Sequence, residues 1–243
     1  MVLDLVFEKT ERALVVSNRQ RNPNPRLFHN SIIILELVVS FNLTTSSDMH
    51  KGNYLTAILR SNKTVFSSKD IALLWQDPGT SATRVRLHYY IEKGELYRIR
   101  KGLYAKSRDY NRMELATRVF TPAYVSFETV LAKEGLIFQY YSQIFVASYL
   151  DREIVIDGQT YSYRKIKTRV LVNPIGVEHA SETSIATKER AFLDTLYVNS
   201  DYQFDNLRDL NWEKVWEILS IYGNQRMVKK VNSLYKTESD QSS

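Results

Sequence analysis

The sequence predicts an α+β protein, on three observations. Three short amphipathic stretches between Asn53 and Lys93 are followed at once by two β-rich runs. Apolar and polar residues then alternate through Ile144–Val172 around an Asp157-Gly158 turn, and the chain closes with stretches of helical periodicity.

The first element is a helix over Asn53–Ser61, with Leu55, Ile58 and Leu59 on one face. Thr64–Phe66 is β-branched and aromatic, a brief strand. Ser67 or Ser68 caps a second helix, Lys69–Trp75, with Asp70 in its first turn, where the helix dipole favours an acid. Asp77-Pro78-Gly79 forms a turn. Thr80 or Ser81 caps a third helix that runs to Lys93 and is stopped by Gly94. Glu95–Arg100 and Leu103–Ala105, joined by Lys101-Gly102, make a hairpin with a basic turn. Three helices and a hairpin in this order describe a winged helix-turn-helix, which we place at residues 49–112 and expect to be followed by a mixed α+β domain at 113–243.

Residues 1–48 fit neither unit. Arg19–Arg26 alternates Asn, Pro and Arg and reads as loop or disorder. Ile32–Leu43 is apolar but interrupted by Glu36, and is shorter than the ~20 residues of a membrane span. It lies too far from the start, with no small-residue cleavage site after it, to be a signal peptide. We expect a poorly ordered extension, either upstream of a true start at Met49 or a genuine tail.

Charge is distributed unevenly. The net charge is +6, yet Lys51–Arg112 holds 13 Lys and Arg against 5 Asp and Glu, whereas residues 113–243 hold 15 against 17. A locally basic unit beside a near-neutral one suits a polyanion, because phosphate contacts release condensed counterions. The chain has no cysteine, and its four histidines show no ligand spacing, so neither a thiolate site nor another metal centre is expected. No cofactor is expected either.

Periodicity orients the third helix. Thr83, Leu87, Tyr90 and Ile91 share a face that packs on the first two helices. The opposite face carries Ser81, Ala82, Val85, Arg86 and Tyr89, flanked by Arg84 and His88, a set suited to the major groove of DNA. Arg84 and Arg86 are the candidates for guanine edges or phosphates and Val85 for a thymine methyl. Thr80 and Ser81 are candidates for a phosphate at the helix N-terminus. The hairpin adds Arg98, Arg100 and Lys101. Tyr97 and Tyr104 either join that surface or belong to the core.

From Ser67 onward the chain resembles the AbiEi family of antitoxins. The resemblance rests on RVRLHYYIEKGELYRIRKGLYAK (Arg84–Lys106), on PAYVSFETVLAKEGLI (Pro122–Ile137) with Ser126, Glu128 and Gly135 bounding a helix, and on SIATKERAFLDTLY (Ser184–Tyr197). It implies a cytoplasmic, non-enzymatic regulator of a type IV toxin–antitoxin system. The N-terminal domain would repress its own operon by binding inverted repeats in double-stranded DNA. The C-terminal domain would counter a nucleotidyltransferase toxin, with or without direct contact. The resemblance carries over only the basic positions of the third helix and hairpin.

In the second domain, Phe127–Glu134 reads as a helix ended by Gly135, and Arg152–Ile156 and Thr160–Lys165 as strands paired across Asp157-Gly158. Arg169–Val172 reads as a further strand. Ser184–Val198, Trp212–Tyr222 and Met227–Tyr235 read as helices, with fraying from Thr237. Asp151, Glu153 and Asp157 fall near strands and Lys165 and Lys167 follow, but no Asp/Glu-x-Lys triplet occurs, so solvated hairpin charges are favoured over a metal-dependent nuclease. Arg190 and Asp194 have the spacing of a surface ion pair. Tyr140, Tyr141, Tyr161 and Tyr163 are candidates for a partner surface. The alternative to an antitoxin is a stand-alone transcription factor whose second domain senses a ligand or a protein.

Overall fold

The computed structural model describes residues 53–77, 81–180 and 182–241. The chain from Gly52 onward forms one compact α+β unit. Residues 1–48 and Met49 lie outside the described residues, as do Pro78, Gly79 and Thr80 of the expected turn and cap.

Helix α1 spans Asn53–Arg60, strand β1 Val65–Ser67 and helix α2 Ser68–Leu74. Ser67 is the cap of α2: its hydroxyl accepts from the Asp70 N–H, and the Asp70 carboxylate accepts from the Ser67 N–H. This reciprocal pair satisfies two backbone donors that a helix start leaves open. Helix α3 spans Ser81–Glu92, and Gly94 follows in the left-handed conformation (φ 72°). Strands β2 (Tyr97–Arg100) and β3 (Leu103–Ala105) form the expected hairpin, and β1 joins its other side in the order β1-β3-β2.

Helix α4 (Arg112–Val119) and strand β4 (Ala123–Val125), neither of them evident from the sequence, then lead into a second, six-stranded sheet. Helix α5 covers Glu128–Lys133, followed by β5 (Ile144–Ser148), β6 (Arg152–Ile156) and β7 (Gln159–Lys165). The β6–β7 turn has positive φ at both Asp157 (48°) and Gly158 (76°), the geometry of the tight turn that Asp-Gly favours. The sheet order is β6-β7-β5-β4-β9-β8, with β8 at Val177–Ala180 and β9 at Thr183–Ala186.

Three expectations need correction here. Arg169–Val172 is no strand, because a helical turn, α6 (Thr168–Leu171), occupies it. Its β-branched composition yields to burial of Val170 and Leu171 in the core. The helix expected from Ser184 starts only at Lys188: Ile185 is in β9, paired parallel to Val125 of β4, and Thr187 caps α7 (Lys188–Val198) by accepting from the Arg190 N–H. Finally, the last helix does not fray at Thr237. After α8 (Trp212–Leu219) and a 3-10 turn at Ser220–Tyr222, α9 runs from Gln225 to Gln241.

One apolar core is shared by both sheets. Val65, Leu103, Ala105 and Tyr110 are buried in the same cluster as Val146, Tyr163, Phe192 and Leu219. The boundary expected at 112/113 falls at the first residue of α4, inside the compact unit. Polar contacts reinforce the join. Glu114 of α4 accepts from the Thr64 N–H (2.9 Å) and hydroxyl (2.6 Å). Arg118 pairs with Asp70 (3.2 Å), Glu114 (3.1 Å) and Glu182 (3.1 Å), while Lys63 pairs with Asp70 at 2.7 Å.

A further correction concerns charge in the core. Arg190 and Asp194 are both fully buried, not at the surface. Asp194 accepts hydrogen bonds from Tyr222 (2.6 Å), Tyr124 (2.9 Å) and Ser126 (2.9 Å), and Arg190 donates to the Val170 and Ile175 carbonyls. Burial pushes the Tyr124 and Tyr222 hydroxyls well above their ordinary pKa, so they remain protonated donors. Every polar atom named here finds a partner, which is what allows two charges to sit without water. Tyr161 and Tyr163 are likewise buried and offer no partner surface, whereas Tyr140 is exposed.

Candidate nucleic-acid interface

Helix α3 buries Thr83, Leu87 and Tyr90, and half-buries Ile91. At about 100° per residue, the direction opposite the centre of this buried arc falls close to Val85 and Glu92, with Ser81 and Tyr89 to either side. All four are exposed, as are Ala82, Arg84 and His88. Val85 is 70% exposed and Tyr89 54%.

Arg86 is not part of this face. It lies about 40° from Tyr90 on the helical wheel, at the edge of the buried arc. Its guanidinium stacks on the Tyr54 ring at 3.7 Å, lies 5.4 Å from the Trp75 ring, and pairs with Asp77 at 3.3 Å. The Trp75 indole N–H in turn donates to the Tyr54 carbonyl (2.8 Å). Arg86 thus fastens α3 to α1 and to the end of α2, and is a positioning residue. The expectation that it meets bases is withdrawn. The helical wheel alone does not separate it from Arg84, which lies about 20° from half-buried Ile91; the Tyr54 ring and Asp77, supplied by other elements, decide the difference.

Strand β2 leaves Tyr97 and Ile99 half-buried and Arg98 and Arg100 exposed; a break in register against β3 falls between the two arginines, and Arg100 lines a groove with Ile154, Val155, Ile156 and Asp157. Lys101, in the turn, is exposed. Tyr97 and Tyr104 are half-buried. The Tyr97 hydroxyl donates to Asp157 (3.0 Å), and the Tyr110 hydroxyl to the other oxygen of the same carboxylate (2.8 Å). Asp157, at the tip of the β6–β7 hairpin, therefore holds the basic hairpin against the large sheet.

Lys69 was not foreseen as part of this surface. It is exposed in the first turn of α2, and its neighbour Ser68 donates its N–H to the Gly102 carbonyl (3.1 Å). The start of α2 and the Lys101-Gly102 turn are therefore adjacent, through a pairing of β1 with β3 (Ser67↔Leu103) that no local pattern announces.

No family model matches this chain. The curated proteins also contain no match to it. Among the described residues there is no group of three or more metal-binding side chains, and no helix is long and apolar enough to cross a membrane. Arg84, Arg98, Arg100 and Lys101 are exposed, no ion pair among the described residues engages them, and one face of α3 is open to solvent.

Proposed function

We propose that residues 49–112 act as a winged helix-turn-helix that binds double-stranded DNA, with α3 in the major groove and the β2–β3 hairpin against the backbone. The observation that carries this reading is the exposed face of α3, bearing Ser81, Arg84, Val85 and Tyr89, together with a hairpin that turns Arg98, Arg100 and Lys101 outward. Seven residues were expected on this surface, and six remain once Arg86 is removed. The concentration of positive charge in Lys51–Arg112 supports the same reading, because counterion release drives such binding.

The resemblance to AbiEi antitoxins extends the proposal. The protein represses its own operon in the cytoplasm by binding inverted repeats, and residues 113–243 counter a nucleotidyltransferase toxin. The reading gives the protein no catalytic step of its own.

A gel shift with the promoter fragment upstream of its own gene tests the DNA reading. The wild type is expected to bind, and a variant with Arg98, Arg100 and Lys101 all changed to Ala to lose most of that binding. Equal binding by the two removes the hairpin from the interface. Co-expression with the toxin encoded beside it, scored by cell growth, tests the antitoxin reading separately, and no rescue of growth refutes it.

A further inference from the structure

We infer that Val85 contacts the C5-methyl group of a thymine, so that the preferred duplex of this protein contains a thymine whose methyl, rather than a hydrogen-bonding edge, is read at the centre of the interface. This deepens the DNA-binding reading and rests on it. Thr83, Leu87 and Tyr90 define the buried side of α3, and Val85 lies almost opposite their centre, among the side chains that project farthest from the core.

Val85 has small and aromatic neighbours on one side and polar ones on the other. Ala82 and Ser81 precede it in the first turn, both small and exposed; His88 and Tyr89 follow one turn later, and Glu92, 4.0 Å from His88, lies two turns on in nearly the same direction. Arg84 sits on the flank of the face. A guanidinium there reaches sideways to an adjacent base pair while the short valine meets the pair directly in front. Arg86, the other cation of the helix, is held by Tyr54 and Asp77 and does not compete for the groove. In the major groove the thymine methyl is the one apolar feature a base presents, and small apolar side chains are its usual partners.

The experiment uses the full-length chain and a library of duplexes with a randomised central segment. Bound duplexes are selected, and each thymine of the enriched sequence is then replaced singly by uracil, which removes only the methyl group. The expected result is one or two positions per binding site at which uracil weakens wild-type binding about fourfold, the effect of one methyl lost from a buried contact. Val85→Ser, an exposed change that leaves the core untouched, should bind the thymine and uracil duplexes equally at those positions. An enriched sequence with no uracil-sensitive thymine overturns the inference while leaving DNA binding intact. So does a sensitivity that persists unchanged in Val85→Ser. Failure of the library to yield any bound duplex overturns the DNA-binding reading itself, and this inference with it.

Discussion

Arg84 and Arg86 stand two positions apart on α3, and that spacing separates their roles. Arg84 is exposed, while Arg86 is clamped between Tyr54 and Asp77. We predict that Arg84→Ala weakens binding to the preferred duplex by about 1–3 kcal/mol and relaxes the preference at one base pair. Arg86→Ala should instead lower folding stability by about 1–2 kcal/mol, through the lost ring contact and partly buried ion pair. Urea unfolding of both variants checks the contrast, and an unaltered unfolding midpoint for Arg86→Ala contradicts the clamp. A larger effect belongs to Asp194. Its removal strands the Arg190 charge in the core, so Asp194→Ala should cost about 3–5 kcal/mol. A loss under about 1 kcal/mol in the same measurement would show that Arg190 finds other compensation. The Arg190–Asp194 spacing suggested a surface pair because an i,i+4 pattern carries no information about what packs over it. Tyr124 and Tyr222, which complete the site, come from distant parts of the chain.

Elements were legible where their signals are local. The capped start of α2, the stop of α3 at Gly94 and the Asp157-Gly158 turn each depend on residues adjacent in sequence. Strand β4 is three residues long and is defined by partners distant in the chain, β5 and, at Val125↔Ile185, β9. No short window contains that information. The junction between the two sheets is similarly non-local and supplies a pH prediction. Burial opposes ionisation of Asp70, but hydrogen bonds from Lys63 and Ser67 and the charge of Arg118 outweigh it and hold the carboxyl below its ordinary value of 3.8. The unfolded chain therefore takes up this proton more readily than the folded one. The stabilisation is fully present above the ordinary value and is lost as pH falls below it through the folded one. We predict that the urea midpoint drops as pH falls below about 4 and that Asp70→Asn makes this drop shallower. An identical pH profile for the variant would remove Asp70 from the junction's energetics.

At the scale of the whole molecule, the basic hairpin and the large sheet belong to one body. A shared core and the Tyr97–Asp157–Tyr110 link join them. We predict that the chain from Gly52 onward unfolds in a single transition, with tryptophan fluorescence and circular dichroism tracing the same curve. Two separated transitions would indicate independent domains.

Arg84 of α3 and the cations of the adjoining hairpin are proposed to neutralise a duplex. The measurement that bears on this is the affinity of the full-length chain for a labelled fragment of its own promoter, taken across a series of salt concentrations. Logarithmic affinity is expected to fall linearly with the logarithm of salt, with a slope shallower by about one for each of Arg98, Arg100 and Lys101 changed to Ala. Affinity that ignores salt, or a slope that these substitutions leave unchanged, would contradict it.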